Sequence, residues 1–165
     1  MNMRAGIITV SDRSSQGLRA DASGPALAKM LADAFIETAR TVTVPDEKKE
    51  IKKAIEELAD CDKLDLILTT GGTGVSPRDV TPDATLEVIE KQIPGMAEVM
   101  RSESLKITPH AMISRAVAGI RGNCLIINLP GSPKGAAENL AAVMPALKHA
   151  IEKIKGDPSE CAASI

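Results

Sequence analysis

The chain has 165 residues, a formal charge of −2 and a pI near 5.7, a mild acidity that excludes nucleic acid or an anionic membrane surface as its main partner. One Phe, no Tyr and no Trp remove the stacking platforms used for single strands and sugar faces. A flat ligand would have to lie between backbone and small apolar side chains.

Residues 3–10, MRAGIITV, read as a buried strand ending at Ser11-Asp12, which in an open parallel sheet is the end that faces the ligand crevice. The polar stretch RSSQGLRADASG reads as a loop. From Ser23 the pattern is helical, with Leu27, Met30, Leu31, Ala34 and Phe35 on one face and Pro25 early. Ala39–Val44 reads as a second strand, and Pro45-Asp46 opens an amphipathic helix that turns Ile51, Ala54, Ile55, Leu58 and Ala59 inward. Leu64–Thr70 is the third strand, and this βαβαβ order predicts a parallel sheet with right-handed crossovers.

Helices follow at about 82–91 and 94–105. Two apolar segments, 111–120 and 123–129, flank Arg121-Gly122 and predict a hairpin with an antiparallel edge strand. A last helix from Pro133 carries Ala137, Leu140, Met144, Leu147, Ile151 and Ile154 on its core face, with a kink expected at Pro145. Residues 157–165 read as a frayed tail. The whole predicts one domain over 1–156, a three-layer α/β/α sandwich with a mostly parallel sheet. No run is long and apolar enough for a signal or membrane segment, and Cys61, Cys124 and Cys161 have no metal-ligand spacing. A cytoplasmic protein with reduced thiols is expected.

Chemistry concentrates at two junctions where a strand runs into a glycine turn: TTGGTG (69–74) and NLPGSPKG (128–135). Gly71, Gly72 and Gly74 let the backbone bend sharply and bring its N–H groups close to an anion. Ser132 stands where it caps the last helix, whose free N–H groups favour phosphate. Neither loop fits a P-loop or a dinucleotide fingerprint. Asp12, Asp46 and Asp79 each lie just past a strand end. Asp46 can serve as a helix N-cap, and Asp79 as a loop partner of Arg78; alternatively both face the ligand, since Mg²⁺ on a nucleotide needs one or two carboxylates beside phosphate oxygens. His110 and His149 belong to no nucleophile constellation.

TTGGTG, SPRDVTPDAT (76–85), IPGMAEVMR (93–101), ESLKITPHAMISRAVAGIRG (103–122) and LIINLPGSPKGA (125–136), in this order, resemble the MogA-type molybdopterin adenylyltransferases, which include the G domains of plant Cnx and of gephyrin. The likeness spans about residues 4–156. It implies adenylyl transfer from Mg-ATP to the molybdopterin phosphate, with release of pyrophosphate, by a homotrimer that hands its product to a metal-insertion protein. It also implies roles for residues: Asp46 and Asp79 are the functional aspartates, which we expect to organise Mg²⁺ or its waters. Ser114, with Arg115, falls in the pterin-site SR pair, and Gly71, Gly72, Thr73 and Gly74 form the adenylate-contacting loop. Asn128, Pro130, Gly131 and Ser132 belong to the second loop, Asp12 to the end of the first strand, and Ser104 and Lys106 to the matched ESLKI stretch. A non-catalytic molybdopterin carrier or scaffold of the same fold shares both loops; the two aspartates argue for the enzyme, because binding an anion gains nothing from added negative charge.

Overall fold

The computed structural model describes residues 3–158, so Cys161 and most of the 157–165 tail lie outside the described residues. Six strands form one sheet: β1 (Met3–Val10), β2 (Ile36–Val44), β3 (Leu66–Thr70), β4 (Lys91–Gln92), β5 (Ala118–Arg121) and β6 (Cys124–Leu129), in the order β2-β1-β3-β6-β5-β4. The first four in that order run parallel, while β5 and β4 pair antiparallel. All residues of β3 and β6 are buried, as expected of strands covered on both faces.

Helices α1 (Asp12–Ser15), α2 (Ser23–Asp33), α3 (Lys48–Glu56), α4 (Thr81–Val88), α5 (Pro94–Leu105) and α6 (Pro133–Ile154) complete the chain. One face of the sheet packs Ala5, Ile7, Leu66, Leu68, Leu125 and Ile127 against α2, α5 and α6, which contribute Leu27, Leu31, Met100, Leu140, Leu147 and Ile151. The other packs Ile8, Ile67 and Ile126 against Ile51 and Ile55 of α3, Leu58 just beyond it, and Ala84 and Val88 of α4. These are the three layers expected. Full burial of each Leu or Ile contributes about 1.5–3 kcal/mol. Among the described residues no helix is long and apolar enough to cross a membrane.

Four local expectations are corrected. Phe35 does not share the core face of α2: it is 91% exposed and has φ of +59°, because the helix ends there and the chain must reverse into β2. Its place in the core goes to Ile36, 3% exposed, and β2 accordingly begins three residues before the expected Ala39. Residues 111–117 are not strand: Pro109–Ile113 form a 3₁₀ turn capped by Thr108, whose hydroxyl accepts from the His110 N–H. The Arg121-Gly122 turn joins β5 to β6 as expected, but the outermost strand is the short β4. Helix α6 continues past Pro145, which lies on its exposed side.

Candidate functional site

The carboxyl ends of β1, β3 and β6 converge on the two glycine turns, and hydrogen bonds stitch the turns together. Gly71 N–H donates to Leu129 C=O (3.1 Å) and the Thr70 hydroxyl to Pro130 C=O (2.7 Å). From α4, Thr81 donates its hydroxyl to Gly71 C=O (2.9 Å) and its N–H to Gly72 C=O (3.1 Å). From α2, the Ser23 hydroxyl reaches Gly131 C=O (2.8 Å). Gly71 and Gly72 have φ of +107° and +66°, and a Cβ on either would collide with Val10 C=O or the Thr81 hydroxyl. Only glycine fits this close approach.

The stitched turns form a wall between two hollows. On one side, Thr73, Gly74, Pro130 and Ser132 border a cavity of about 260 Å³ that also reaches Arg101, Ser104, Ser114 and Asn139. On the other, Gly71, Gly72, Gly131 and Ser132 border one of about 310 Å³ with Asp46, Asp21, Ser11 and Arg19. Ser132 belongs to both. Its hydroxyl accepts from Gly135 N–H (3.1 Å), capping α6 as expected and leaving the first helical N–H groups at the wall.

Asp46 does not cap α3. It clasps the end of β1: its carboxylate accepts from Asp12 N–H (2.8 Å), while Asp46 N–H donates to the Asp12 carboxylate (3.0 Å). Arg78 closes this pair from outside, donating to Asp12 (2.9 and 3.1 Å) and to Glu47 (2.7 Å). Hydrogen bonds from Arg78 hold the Asp12 carboxyl below the usual carboxylate range. Asp46 is half-buried, and that burial, together with the negative charges of Asp12 and Asp79, pushes its carboxyl above its ordinary value against the opposing pull of its hydrogen bond from Asp12 N–H. Asp79 lies at the far end of the glycine loop, where its carboxylate accepts from Ser76 N–H (2.9 Å). Asp12 and Asp79 border neither hollow, but Asp79 is close enough to Asp46 to shift it.

Asp46 and Asp79 each commit one oxygen to a backbone N–H and keep the other free of hydrogen bonds among the described residues. No cluster of three or more metal-ligating side chains exists among those residues. Two half-free carboxylates suit Mg²⁺, which keeps waters and phosphate oxygens in most of its positions.

Other expected site residues separate by geometry. Ser114 reaches the first hollow. Arg115 is committed to the loop itself, donating to Gly74 C=O (2.9 Å), Asp79 C=O (2.6 Å) and Asp83 (2.9 and 3.2 Å). Asn128 is fully buried. Its amide donates to the Thr69 and Thr85 hydroxyls (2.9 Å each) and accepts from Val117 N–H (3.3 Å), supporting the wall from beneath. Lys106 pairs with Glu103 (2.7 Å) and borders a neighbouring hollow between α5 and α6, which shares Ser104 and Glu138 with the first, rather than the first hollow itself.

The structure adds residues that sequence reasoning missed. Asp21 accepts from Thr9 (2.7 Å) and from Ser23 and Gly24 N–H (3.0 Å each), fixing the start of α2. An Asp three residues before a Gly-Pro helix start was its signal. Asn139 donates to Ser104 (2.9 Å) and betrays itself as an amide on the apolar stripe of α6. Arg101 donates to Ala116 C=O (2.9 Å) and pairs with no carboxylate among the described residues, bringing positive charge to the first hollow. Nothing local in the sequence singles it out.

Residues 6–149 match the family model described as "Probable molybdopterin binding domain". The chain is 43% identical over 154 residues to a molybdopterin adenylyltransferase of Helicobacter pylori, covering 92% of this chain and 88% of that protein. It is 45% identical over 143 residues to the Escherichia coli protein of the same name, covering 86% and 73%. Among solved structures it resembles the molybdopterin biosynthesis enzyme MoaB of Thermus thermophilus, at 51% identity, a TM-score of 0.89 and coverage of 96% and 99%.

Proposed function

The chain belongs to the molybdopterin-binding family whose model it matches, and from that premise we propose that it is a molybdopterin adenylyltransferase using ATP as donor. The observation that carries this reading is the wall of two glycine turns with one hollow on each side, meeting at Ser132. Two phosphate-bearing substrates placed in these hollows have their phosphates at the same backbone N–H groups. The hollow with Ser114, Arg101 and Asn139 takes the pterin, and the hollow with Asp46, Gly71 and Gly72 takes the nucleotide.

The reaction needs little acid–base chemistry. An oxygen of the pterin phosphate, already ionised, bonds to the α-phosphorus of ATP; the bond to the bridging oxygen breaks and pyrophosphate leaves with the electron pair. The chain supplies alignment and fixed dipoles. Thr81, Thr70 and Ser23 hold the turns rigid by their carbonyls, so the N–H groups of the wall and of the α6 start stay directed at the phosphates. Arg115 braces Gly74 and Asp79. Asn128 locks β6 to β3 and α4. Asp46 and Asp79 would hold Mg²⁺, which supplies charge neutralisation on the phosphate chain. A homotrimer in the cytoplasm, passing its product to a metal-insertion protein, completes the proposal; it rests on the family likeness.

The test is pyrophosphate release from purified protein given molybdopterin and Mg-ATP. Asp79→Ala keeps pterin affinity and loses about 10²–10³-fold in turnover, the scale of a lost electrostatic group at a reacting centre. Pterin binding by the wild type with no pyrophosphate release rejects the enzyme in favour of a carrier.

A further inference from the structure

The nucleotide hollow poses an electrostatic problem. Two carboxylates, Asp21 and Asp46, border it, and it must admit a triphosphate that carries several negative charges of its own. Hydrogen bonds from Thr9, Ser23 and Gly24 occupy both Asp21 oxygens. Among the described residues bordering this hollow, one side chain is basic: Arg19.

Arg19 differs from the other arginines around the wall. Arg78 is matched by Asp12 and Glu47 and Arg115 by Asp83, while Arg101 donates to Ala116 C=O. The Arg19 guanidinium makes no hydrogen bond or ion pair with the described residues. Its segment is nevertheless held at both ends. Ser11 caps α1 through Ser14 N–H (3.1 Å), Leu18 N–H returns to Arg13 C=O (2.8 Å), and Asp21 ties the far end to Thr9 and α2. Between these anchors residues 15–20 are exposed. An unpaired guanidinium on an anchored arm, at the rim of an otherwise acidic hollow, has donors in a fork that matches phosphate oxygens.

We propose that Arg19 grips the β- and γ-phosphates of the bound nucleotide, so that the chain selects a triphosphate over a monophosphate through a residue outside the two glycine turns. This inference rests on the assignment of the second hollow to the nucleotide. As the α-phosphorus bonds to the pterin phosphate and the bridging bond breaks, the electron pair remains on the departing pyrophosphate, and Arg19 is the basic side chain of this hollow that meets the growing charge.

The experiment measures ATP and AMP binding to the full chain by titration calorimetry, for the wild type, Arg19→Gln and Arg13→Gln. Arg13 is exposed on α1 and borders neither hollow, so it controls for net charge. Arg19→Gln is expected to weaken ATP roughly 10- to 100-fold, the scale of a lost charge-assisted contact, and AMP by less than about threefold. Arg13→Gln should leave both within about twofold. Wild-type ATP binding that survives Arg19→Gln overturns the inference and leaves the adenylyltransferase reading standing. An equal loss in Arg13→Gln also overturns it, by reducing the effect to net charge. Failure of the wild type to bind either nucleotide overturns the assignment of the hollow itself.

Discussion

Asp46 shows how a residue's partners decide its chemistry. Its sequence position, two residues past a strand and shortly before a helix, suits an N-cap, yet its carboxylate turns back to Asp12 N–H and stays beside the glycine turn. Burial and the charges of Asp12 and Asp79 raise its proton affinity, while Arg78 works against them. If the ionised form serves the reaction, turnover is full above the folded-state pKa and falls as pH drops through it. The acid limb of kcat/KM, which reports the free enzyme, should therefore lie above the ordinary carboxylate value. Arg78→Gln removes a favourable positive charge and moves that limb to higher pH; a pH profile of kcat/KM for both proteins checks the direction. A limb that stays put or moves down removes Asp46 as the group responsible. The side-chain roles of Arg115 and Asn128 were not legible in the sequence, because each depends on partners far along the chain: Gly74 and Asp83 for Arg115, Thr69 and Thr85 for Asn128.

At the scale of elements, legibility tracked burial. The runs MRAGIITV, LDLILTT and CLIINLP announce β1, β3 and β6 because strands covered on both faces are continuously apolar. The exposed two-residue β4 has no such signature. Ala111, Met112 and Ile113 mislead in the opposite sense, since apolar composition alone does not reveal that Thr108-Pro109 starts a 3₁₀ turn. The glycine turn itself was legible, and its steric demand is now specific. Gly72→Ala puts a methyl against Thr81 and 3.2 Å from an Asp46 oxygen at φ of +66°. It should lower turnover at least about tenfold and cost about 1–2 kcal/mol of stability. Gly122→Ala, at φ of +55° in the β5–β6 turn with nothing near its Cβ, should cost about 1 kcal/mol and leave turnover intact. Thermal unfolding and pyrophosphate release measured side by side separate strain from steric intrusion at the site.

Across the whole molecule, both hollows and the wall between them come from one chain. If the protein assembles as a trimer, each copy should still carry a full set of reacting groups. Protomers bearing Asp46→Asn, mixed and exchanged with protomers bearing Ser114→Ala, should then regain no turnover above the sum of the separate variants. Recovered activity would mean that a neighbouring copy completes the site. The fold that achieves this places its two apolar cores on opposite faces of one sheet, with Cys124 so enclosed that burial pushes its thiol up to about 12; it remains protonated and unreactive. The shared Ser132 has a consequence for what happens after the chemistry. With the pterin and the nucleotide in the hollows proposed for them, each substrate has its own foothold before reaction and can depart alone. Once they are joined, a single molecule straddles the partition, and losing either end leaves the other still tethered within easy reach of its empty berth. On that placement the conjugate should dissociate more slowly than either half, and release rates of product and of each substrate, measured side by side, check it.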